Sequence, residues 1–495
     1  MSRPPRVATA SGDLAGAWRA EVAAFLGVPY ALARRWAPPV PPPSWRGVHD
    51  ASRPKPAAPQ PRRPVAAFTH GALPLTGEDC LGLALWTPAL SGSRPVLVWL
   101  HGGGFTIGHP TASLYEGGAL AAAGDVVVVS VGYRLGTLGW LGHPALAACP
   151  GAPAANWGLL DQIAALRWVA ENIAAFGGDP RRVTLAGQSA GALCAMDLLV
   201  APAAAGLFSR AILQSPPLRD VAQPPDRAWE WARALSHALT GREELDPGAL
   251  RSLPAERIVA AHEALLDTPS FAGTRGGALP TIDPATLPES PLERPGASPG
   301  VDVLIGHTAD EGTFFFGSPW RPAPPVERIP AILAHLGAGE PERPPAGLRA
   351  EDDADPLARL RRAATEQLVA APAARWAGAR AAAVSAAAGR VYRYRFDHPG
   401  AGPDLRATHT AEVPLLFSTW RDGGPGERLG GQQVSPDLAP TAEVAAALQR
   451  AWVAFIHGDE LPWRPLAPGE STEVATFGGR APFAVDTEHM SPAGL

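Results

Sequence analysis

Short, almost wholly apolar segments alternate with longer amphipathic ones along the first half of the chain. PVLVWL, at 95–100, and DVVVVSV, at 125–131, are rich in β-branched residues, as are strands buried on both faces of a parallel sheet. VTLAG and AILQS have the same character. Apolar side chains recur every three or four residues from Leu159 to Phe176, and Gly177 follows, which predicts an amphipathic helix with a glycine stop. Strand, helix and strand in succession predict an α/β fold with a helix-covered parallel sheet.

The pattern changes between 216 and 300. Helix-like pieces are separated there by proline-rich joints, and no clear strand pattern is found. The strand pattern returns in VDVLIG, at 301–306, and in RVYRYRF, at 390–396, and a late helix is predicted at 444–458. Because core segments occur on both sides of the change, we expect one elaborated domain over 1–495, in which 216–300 forms a cap or insertion.

Charge and composition exclude several classes of partner. The chain has 495 residues, of which 46% are hydrophobic, enough for a sizeable core. Its net charge is −5, and its 42 basic residues are spread along the chain rather than clustered as nucleic-acid binding requires. The apolar run at 126–129 is far shorter than the ~18 residues that span a bilayer. We expect neither nucleic acid nor membrane as a partner.

The cysteines and the start of the chain bear on its compartment. Cys80, Cys149 and Cys194 are too few to build a disulfide framework and do not have structural-zinc spacing. The first residues contain no apolar run of the kind that a signal peptide needs. We therefore expect a cytoplasmic protein.

A candidate nucleophile lies in GQSAG, at 187–191. It follows the strand VTLA and precedes an apolar helical stretch, the context of a strained strand–turn–helix that exposes a serine hydroxyl at the end of a sheet. The GxSxG pattern alone is a weak signal, and its context strengthens it. We expect Ser189 to be the nucleophile.

The loop HGGGF, at 101–105, comes directly after the strand PVLVWL. Three consecutive glycines leave backbone N–H groups free to face an anion, as in the oxyanion hole of lipases and esterases. We expect Gly103, Gly104 and Ala190 to be the donors, and His101 to orient the loop rather than act as a base.

A serine hydroxyl needs an imidazole to accept its proton and a carboxylate to orient that imidazole. In this chain order the acid follows the serine and the histidine comes last. Asp310 and Glu311 follow the strand VDVLIG, while His398 and His409 follow RVYRYRF. The residue pattern does not choose within either pair, because each member is also compatible with a solvated turn.

The chain resembles the type B carboxylesterases, which include bacterial para-nitrobenzyl esterases, animal carboxylesterases and cholinesterases. The matching segments, in order, are FLGVPYA, GEDCLGLALWTP, HGGGF, VGYRLGTLGWL, NWGLLDQIAALRWVAENIAAFGGDP, VTLAGQSAGA, LFSRAILQS, VLIGHTADEG and HTAEVPLLF. The resemblance implies an α/β-hydrolase fold, a mostly parallel central sheet with cap insertions, and hydrolysis of small-molecule carboxylic esters through an acyl-enzyme. It implies Ser189 as nucleophile, Glu311 as acid and His409 as base, with no cofactor and no metal.

The resemblance also implies structural ion pairs between Arg134 and Asp161 and between Arg35 and Glu78. The chain departs from the family at Gln188, where a glutamate is usual, so we expect an altered pH dependence. A second departure, QSPP in place of Q-S-G, is expected to affect substrate fit.

The segment 54–74 has no tryptophan where cholinesterases bind choline, so recognition of quaternary amines is not expected. Amide or carbamate hydrolysis stays open as an alternative, because the same machinery serves any acyl transfer. A non-catalytic family member is a second alternative, against which the complete triad argues.

Overall fold

The computed structural model describes residues 3–218, 221–266, 279–337, 355–384, 389–399, 405–420, 439–467, 472–479 and 481–488. The strands are β1 (Arg6–Thr9), β2 (Gly12–Ala15), β3 (Ala17–Arg19), β4 (Val22–Pro29), β5 (Val48–Asp50), β6 (Gly82–Thr87), β7 (Arg94–Leu100), β8 (Val127–Val131), β9 (Gly178–Gln188), β10 (Arg210–Gln214), β11 (Asp302–Thr308), β12 (Val391–Phe396), β13 (Thr472–Phe477) and β14 (Ala484–Glu488).

The α-helices are α1 (Pro64–His70), α2 (Gly118–Gly124), α3 (Gly136–Trp140), α4 (Trp157–Asn172), α5 (Ala190–Val200), α6 (Pro225–Thr240), α7 (Pro247–Arg251), α8 (Ala255–Leu266), α9 (Gly312–Phe315), α10 (Ile329–His335), α11 (Pro356–Thr365), α12 (Ala371–Val384), α13 (Val413–Leu416) and α14 (Ala439–His457). A π-helical turn, Glu366–Ala370, joins α11 to α12.

The central sheet has 11 strands in the order β14-β13-β12-β11-β10-β9-β7-β8-β6-β4-β3. Every neighbouring pair from β13 to β8 is parallel, while β14 at one edge and β6, β4 and β3 at the other pair antiparallel. This confirms the expected mostly parallel sheet of an α/β-hydrolase. A separate small sheet has the order β1-β2-β5.

The apolar strands are buried on both faces of the sheet. On β7, Val96 and Val98 pack into one hydrophobic cluster, whereas Leu97 and Trp99 pack into the other. Because alternate side chains of a strand point to opposite faces, the continuous apolar run serves two helical layers at once. The strands predicted from sequence at 95–100, 301–306 and 390–396 are confirmed by β7, β11 and β12.

Helix α4 is confirmed, but it is more buried than the amphipathic pattern predicted. Its polar residues Asp161 and Gln162 are both fully buried. The burial of Asp161 is possible because Arg134 binds it through two hydrogen bonds, Nη2–Oδ1 of 2.7 Å and Nε–Oδ2 of 2.8 Å. A short 3-10 turn follows α4, and the helical segment ends at Gly177, which has φ 77°.

The second expected ion pair also forms, but at the surface. Arg35 Nε lies 2.6 Å from Glu78 Oε2, and Glu78 is 40% exposed. The three cysteines are all free, with Cys80 and Cys194 buried and Cys149 exposed. Among the helices that the structure describes, none is both long and apolar enough to cross a membrane.

The segment 216–300 connects β10 to β11. Its described parts carry α6, α7 and α8 and form no strand of their own, while 219–220 and 267–278 lie outside the described residues. Trp231, Ile258 and Leu265 of this segment form a hydrophobic cluster with Trp36 and Trp157. The segment is therefore packed on the sheet-bearing part of the chain.

Candidate active site

The chain reverses sharply at the end of β9, where Ser189 separates the strand from α5. Ser189 has φ 57° and ψ −124°, a sparsely populated conformation that costs on the order of 1–3 kcal/mol and persists only when its surroundings enforce it. A Cβ on Gly187 would lie 2.3 Å from the Gly191 backbone, and one on Gly191 would lie 2.0 Å from Leu100 O. Both glycines of GQSAG are therefore needed for the close approach of strand and helix.

The HGGGF loop follows the neighbouring strand β7, at the same carboxyl end of the parallel strands. Gly103 has φ 109°, and a Cβ there would lie 2.1 Å from Ile107 O. The turn is closed by Thr106 N and Ile107 N, which both donate to Gly103 O at 3.1 Å. The N–H groups of Gly103 and Gly104 donate to none of the residues that the structure describes, so they are available to an anion.

His101 lies behind this loop. Its Nδ1 is 2.9 Å from Gly102 O, and its ring stacks on Tyr133 with centroids 4.4 Å apart. Burial lowers the pKa of His101 to about 3, so the ring is neutral at pH 7. These contacts fit the loop-orienting role expected for it.

Glu311 and His409 meet at the carboxyl end of the sheet. Glu311 follows β11 at the start of α9, and His409 lies between β12 and α13; His409 Nδ1 is hydrogen-bonded to Glu311 Oε2. Thr308 N donates to Glu311 Oε1 at 2.8 Å. Burial opposes ionisation of this carboxyl, but the imidazole and the hydrogen bonds outweigh it and hold the pKa of Glu311 below its ordinary value. Glu311 is thus an ionised partner.

The two alternative candidates lie elsewhere in the structure. Asp310 Oδ2 accepts from Ala407 N at 3.3 Å, and Oδ1 lies 3.6 Å from Arg406 Nη1. His398 Nε2 is 3.2 Å from the Thr441 hydroxyl. Neither contacts the pair formed by His409 and its acid.

The sequence marks Gln188 as a departure from the family but does not predict that it contacts His409 directly. Gln188 Nε2 lies 3.1 Å from His409 Nε2. With the Nδ1 proton donated to Glu311, Nε2 is an acceptor, and the amide donates to it. The structure shows no hydrogen bond between the Ser189 hydroxyl and His409, as is common before substrate binds.

A second buried acid was also missed. Glu412, three residues after His409, is fully buried, and its Oε1 accepts from Gln214 Nε2 at 3.0 Å. Burial, together with the nearby charge of Glu311, raises the pKa of Glu412 to about 7. Glu412 belongs to the segment HTAEVP, but the sequence does not show that this glutamate is buried near Glu311.

A cavity of about 260 Å³ joins these groups. It is lined by Ser189, Gln188, His409 and the glycine loop, and its apolar wall includes Phe314 and Phe315. The rings of these two phenylalanines lie 5.1 Å and 5.3 Å from the His409 ring. The cavity is therefore a small, largely apolar chamber around the reactive groups.

A larger groove of about 580 Å³ lies between His143, Cys149 and Trp229. It shares no lining residue with the cavity at Ser189. Because size alone does not supply chemistry, we assign the site to the smaller cavity, which is lined by Ser189 and by the His409 imidazole that the Glu311 carboxylate binds.

Comparison with known proteins identifies the family. A family model described as "Carboxylesterase family" matches residues 3–324. The chain is 36% identical over 497 residues to phenmedipham hydrolase of Pseudarthrobacter oxydans, covering 97% of this chain and 96% of that protein. It is 36% identical over 461 residues to para-nitrobenzyl esterase of Bacillus subtilis (strain 168), covering 91% and 89%. A solved thermophilic PNB esterase matches with TM-score 0.82 and 32% identity over 98% of each chain. The chain belongs to the carboxylesterase family and is a serine ester hydrolase of the α/β-hydrolase fold.

Proposed function

We propose that Ser189 carries the hydrolysis through an acyl-enzyme intermediate on small-molecule carboxylic esters. Ser189 Oγ attacks the ester carbonyl carbon while its proton passes to His409 Nε2. The tetrahedral intermediate collapses, and the leaving alcohol takes the proton from His409. Water then attacks the acyl-enzyme by the same route, which releases the acid and restores the hydroxyl of Ser189.

The contact between His409 Nδ1 and Glu311 is the observation that carries this proposal. It fixes the tautomer in which Nε2 accepts a proton, and the ionised carboxylate stabilises the imidazolium that forms. His409 and Ser189 line the same cavity. Glu311 is therefore the orienting acid in this proposal, rather than Asp310, which accepts a hydrogen bond from Ala407 N and lies near Arg406.

Gly103, Gly104 and Ala190 are the oxyanion donors in this proposal. The two glycine N–H groups have no partner among the described residues, and Ala190 opens α5, where the first N–H groups of a helix are unpaired. In other serine hydrolases one such donor contributes about 2.7–4 kcal/mol of transition-state stabilisation.

The amide of Gln188 has to release His409 before the serine reacts. In the unliganded site the amide donates to the same Nε2 lone pair that must take the serine proton. Exchange of one hydrogen-bond donor for another costs little, because Nε2 is satisfied in both states. In this proposal, His409 Nε2 exchanges the Gln188 amide for the Ser189 hydroxyl when the substrate enters the cavity.

We also propose that 1–495 is one elaborated domain and that 216–300 is its cap. Leu266, at the end of α8, lines the catalytic cavity. Glu263 of the same helix pairs with Arg63 at the cavity edge. The cap thus contributes to the walls that contact substrate.

The free cysteines support a cytoplasmic location. Cys80, Cys149 and Cys194 are all unpaired, as is usual in a reducing compartment. We propose that the enzyme works there.

Active-site labelling tests the nucleophile. A fluorophosphonate probe followed by peptide mass spectrometry should label Ser189 and no other serine. Ser189→Ala should lower kcat for p-nitrophenyl esters by on the order of 10⁴–10⁶. As a control, Ser252→Ala, which changes an exposed serine of the segment 216–300, should leave kcat unchanged. Labelling elsewhere, or full activity in Ser189→Ala, would overturn the proposal. A matched p-nitroanilide measured beside the esters separates ester from amide hydrolysis.

A further inference from the structure

The charged side chains that line the catalytic cavity itself, as distinct from Glu311 behind His409 and Glu263 beside Arg63, are all basic among the described residues. Among the described residues that line it, Arg63 and Arg321 are basic and none is an aspartate or glutamate. Position 188, beside the nucleophile, holds a neutral glutamine. Arg63 is already neutralised, because its Nε donates to Glu263 Oε2 at 2.8 Å and its Nη2 binds the other carboxylate oxygen. Of the two arginines that line the cavity, Arg321 is therefore the one whose charge the described residues do not neutralise.

Arg321 has no acidic partner among the residues that the structure describes. Its guanidinium forms no hydrogen bond or ion pair there, and its Cζ lies over the Phe316 ring, 5.8 Å from the centroid. Arg321 is an exposed residue that also lines the cavity, and the partial desolvation of its guanidinium lowers its pKa, with no carboxylate among the described residues to oppose that shift. An arginine stays protonated at neutral pH under such conditions.

The loop that carries Arg321 is held in place by the protein. Arg361 of α11 donates to Phe316 O at 2.8 Å and to Gly317 O at 2.9 Å. Gly317 N donates to Arg321 O, and Arg321 N to Ser318 O, both at 3.0 Å. These bonds fix the backbone that carries Arg321 at the cavity, while its guanidinium, which forms no hydrogen bond among the described residues, is available to bind an anion.

We propose that Arg321 selects esters that carry a carboxylate group besides the ester itself. A planar guanidinium offers two parallel N–H donors that match a carboxylate, and the phenylalanine wall of the cavity accommodates the apolar part of such an ester. This inference rests on the proposed function, since it names the substrate class of the same site. Arg321 is a specificity-determining residue and takes no part in the bond-breaking steps.

The test compares esters of equal size that differ in charge. Mono-4-nitrophenyl glutarate against 4-nitrophenyl 5-methylhexanoate places the carboxylate on the acyl side, and 4-acetoxybenzoate against 4-acetoxybenzamide places it on the alcohol side. In at least one pair, the wild-type enzyme should have the higher kcat/KM for the anionic ester. Arg321→Gln should lower that kcat/KM by on the order of 10-fold, mainly through KM, because a charge-assisted hydrogen bond is lost.

The neutral esters and a matched arginine supply the controls. Arg321→Gln should leave the neutral esters within about 2-fold, which also shows that the fold is intact. Arg328→Gln, which removes an arginine outside the cavity lining, should leave all four esters unchanged. An anionic-to-neutral ratio that Arg321→Gln does not change in either pair would overturn the inference. Wild-type enzyme inactive on all four esters would instead overturn the proposed function.

Discussion

Two regions of the fold bury a carboxyl group completely and treat it in opposite ways. At the carboxyl end of the sheet, Glu311 has His409 and the Thr308 N–H as partners, and its pKa lies below the ordinary value. In the interior of α5, neither oxygen of Asp197 has a hydrogen-bond partner among the described residues. Burial raises the pKa of Asp197 well above its ordinary value. Burial alone thus keeps an acid neutral, and partners are needed to keep one ionised.

Glu412 is an intermediate case within the catalytic region. It has one hydrogen bond, from Gln214, and one unpartnered oxygen, and it lies near the negative charge of Glu311. Its pKa of about 7 follows from this partial satisfaction. At neutral pH the site therefore holds one ionised carboxyl beside one that is only partly ionised, so most of the negative charge lies on Glu311, which binds His409.

The largest effect is expected from removing the charge of the partnered acid. Glu311→Gln should lower kcat by on the order of 10³–10⁴, because an amide cannot hold the imidazole in the required tautomer or stabilise its charged form. Asp310→Asn, the adjacent control, should cost less than about 10-fold. Steady-state kinetics on p-nitrophenyl esters measure both. The reverse ranking would show that the acid is misassigned.

The same variant also tests the sign of the stability contribution. A lowered pKa means that Glu311 stabilises the fold above the unfolded-state pKa of about 4.3 and loses that contribution as the pH falls through the folded-state value. The stability deficit of Glu311→Gln, measured by urea unfolding, should therefore shrink in acid. A deficit that grows in acid would contradict an ionised Glu311.

How far the sequence predicts this site depends on the kind of information each residue carries. Ser189, the glycine loop and the buried pair of Arg134 with Asp161 lie in segments whose local pattern matches a known arrangement. The choice of His409 over His398 came from family resemblance, because a histidine in a loop after a strand looks alike in both places. The structure places His409, and not His398, against Glu311.

The remaining features depend on long-range packing, which a local pattern does not encode. The contact of Gln188 with His409 joins residues 221 positions apart, and the burial of α4 depends on layers contributed by distant segments. Arg321 lies in a proline-rich stretch that reads as an ordinary surface loop. Its place at the cavity appears only when α11 anchors that loop.

A smaller effect, on the free energy of unfolding and with the opposite pH dependence, is expected from replacing Asp197, whose carboxyl oxygens have no hydrogen-bond partner among the described residues. Because the pKa of Asp197 is raised, its stability contribution is complete below about pH 4 and is lost as the pH rises towards the folded-state value, at about 1.4 kcal/mol per unit. Asp197→Asn should remove this slope and gain stability relative to wild type from pH 5 to pH 8, with kcat unchanged. Urea unfolding across that range measures it. Parallel slopes for the two proteins would mean that Asp197 has a partner that offsets its burial.

The smallest effect is expected from Gln188→Glu, which adds a negative charge beside His409. Gln188→Glu would place a carboxylate where the amide now lies 3.1 Å from His409 Nε2, and a carboxylate there stabilises the imidazolium. The acidic limb of the kcat/KM profile, which reports the free enzyme, should move to higher pH. Charges about 4 Å apart gain about 1 kcal/mol with water-like screening and about 4 kcal/mol at an effective dielectric of 20. Gln188 and His409 are both buried beside the cavity, so the shift is expected between these limits, roughly one to three pH units. Gln188→Met, which removes the hydrogen bond without adding charge, is the control and should leave the limb within about half a unit. An unchanged or downward-moving limb in Gln188→Glu would show that position 188 does not act on His409 electrostatically.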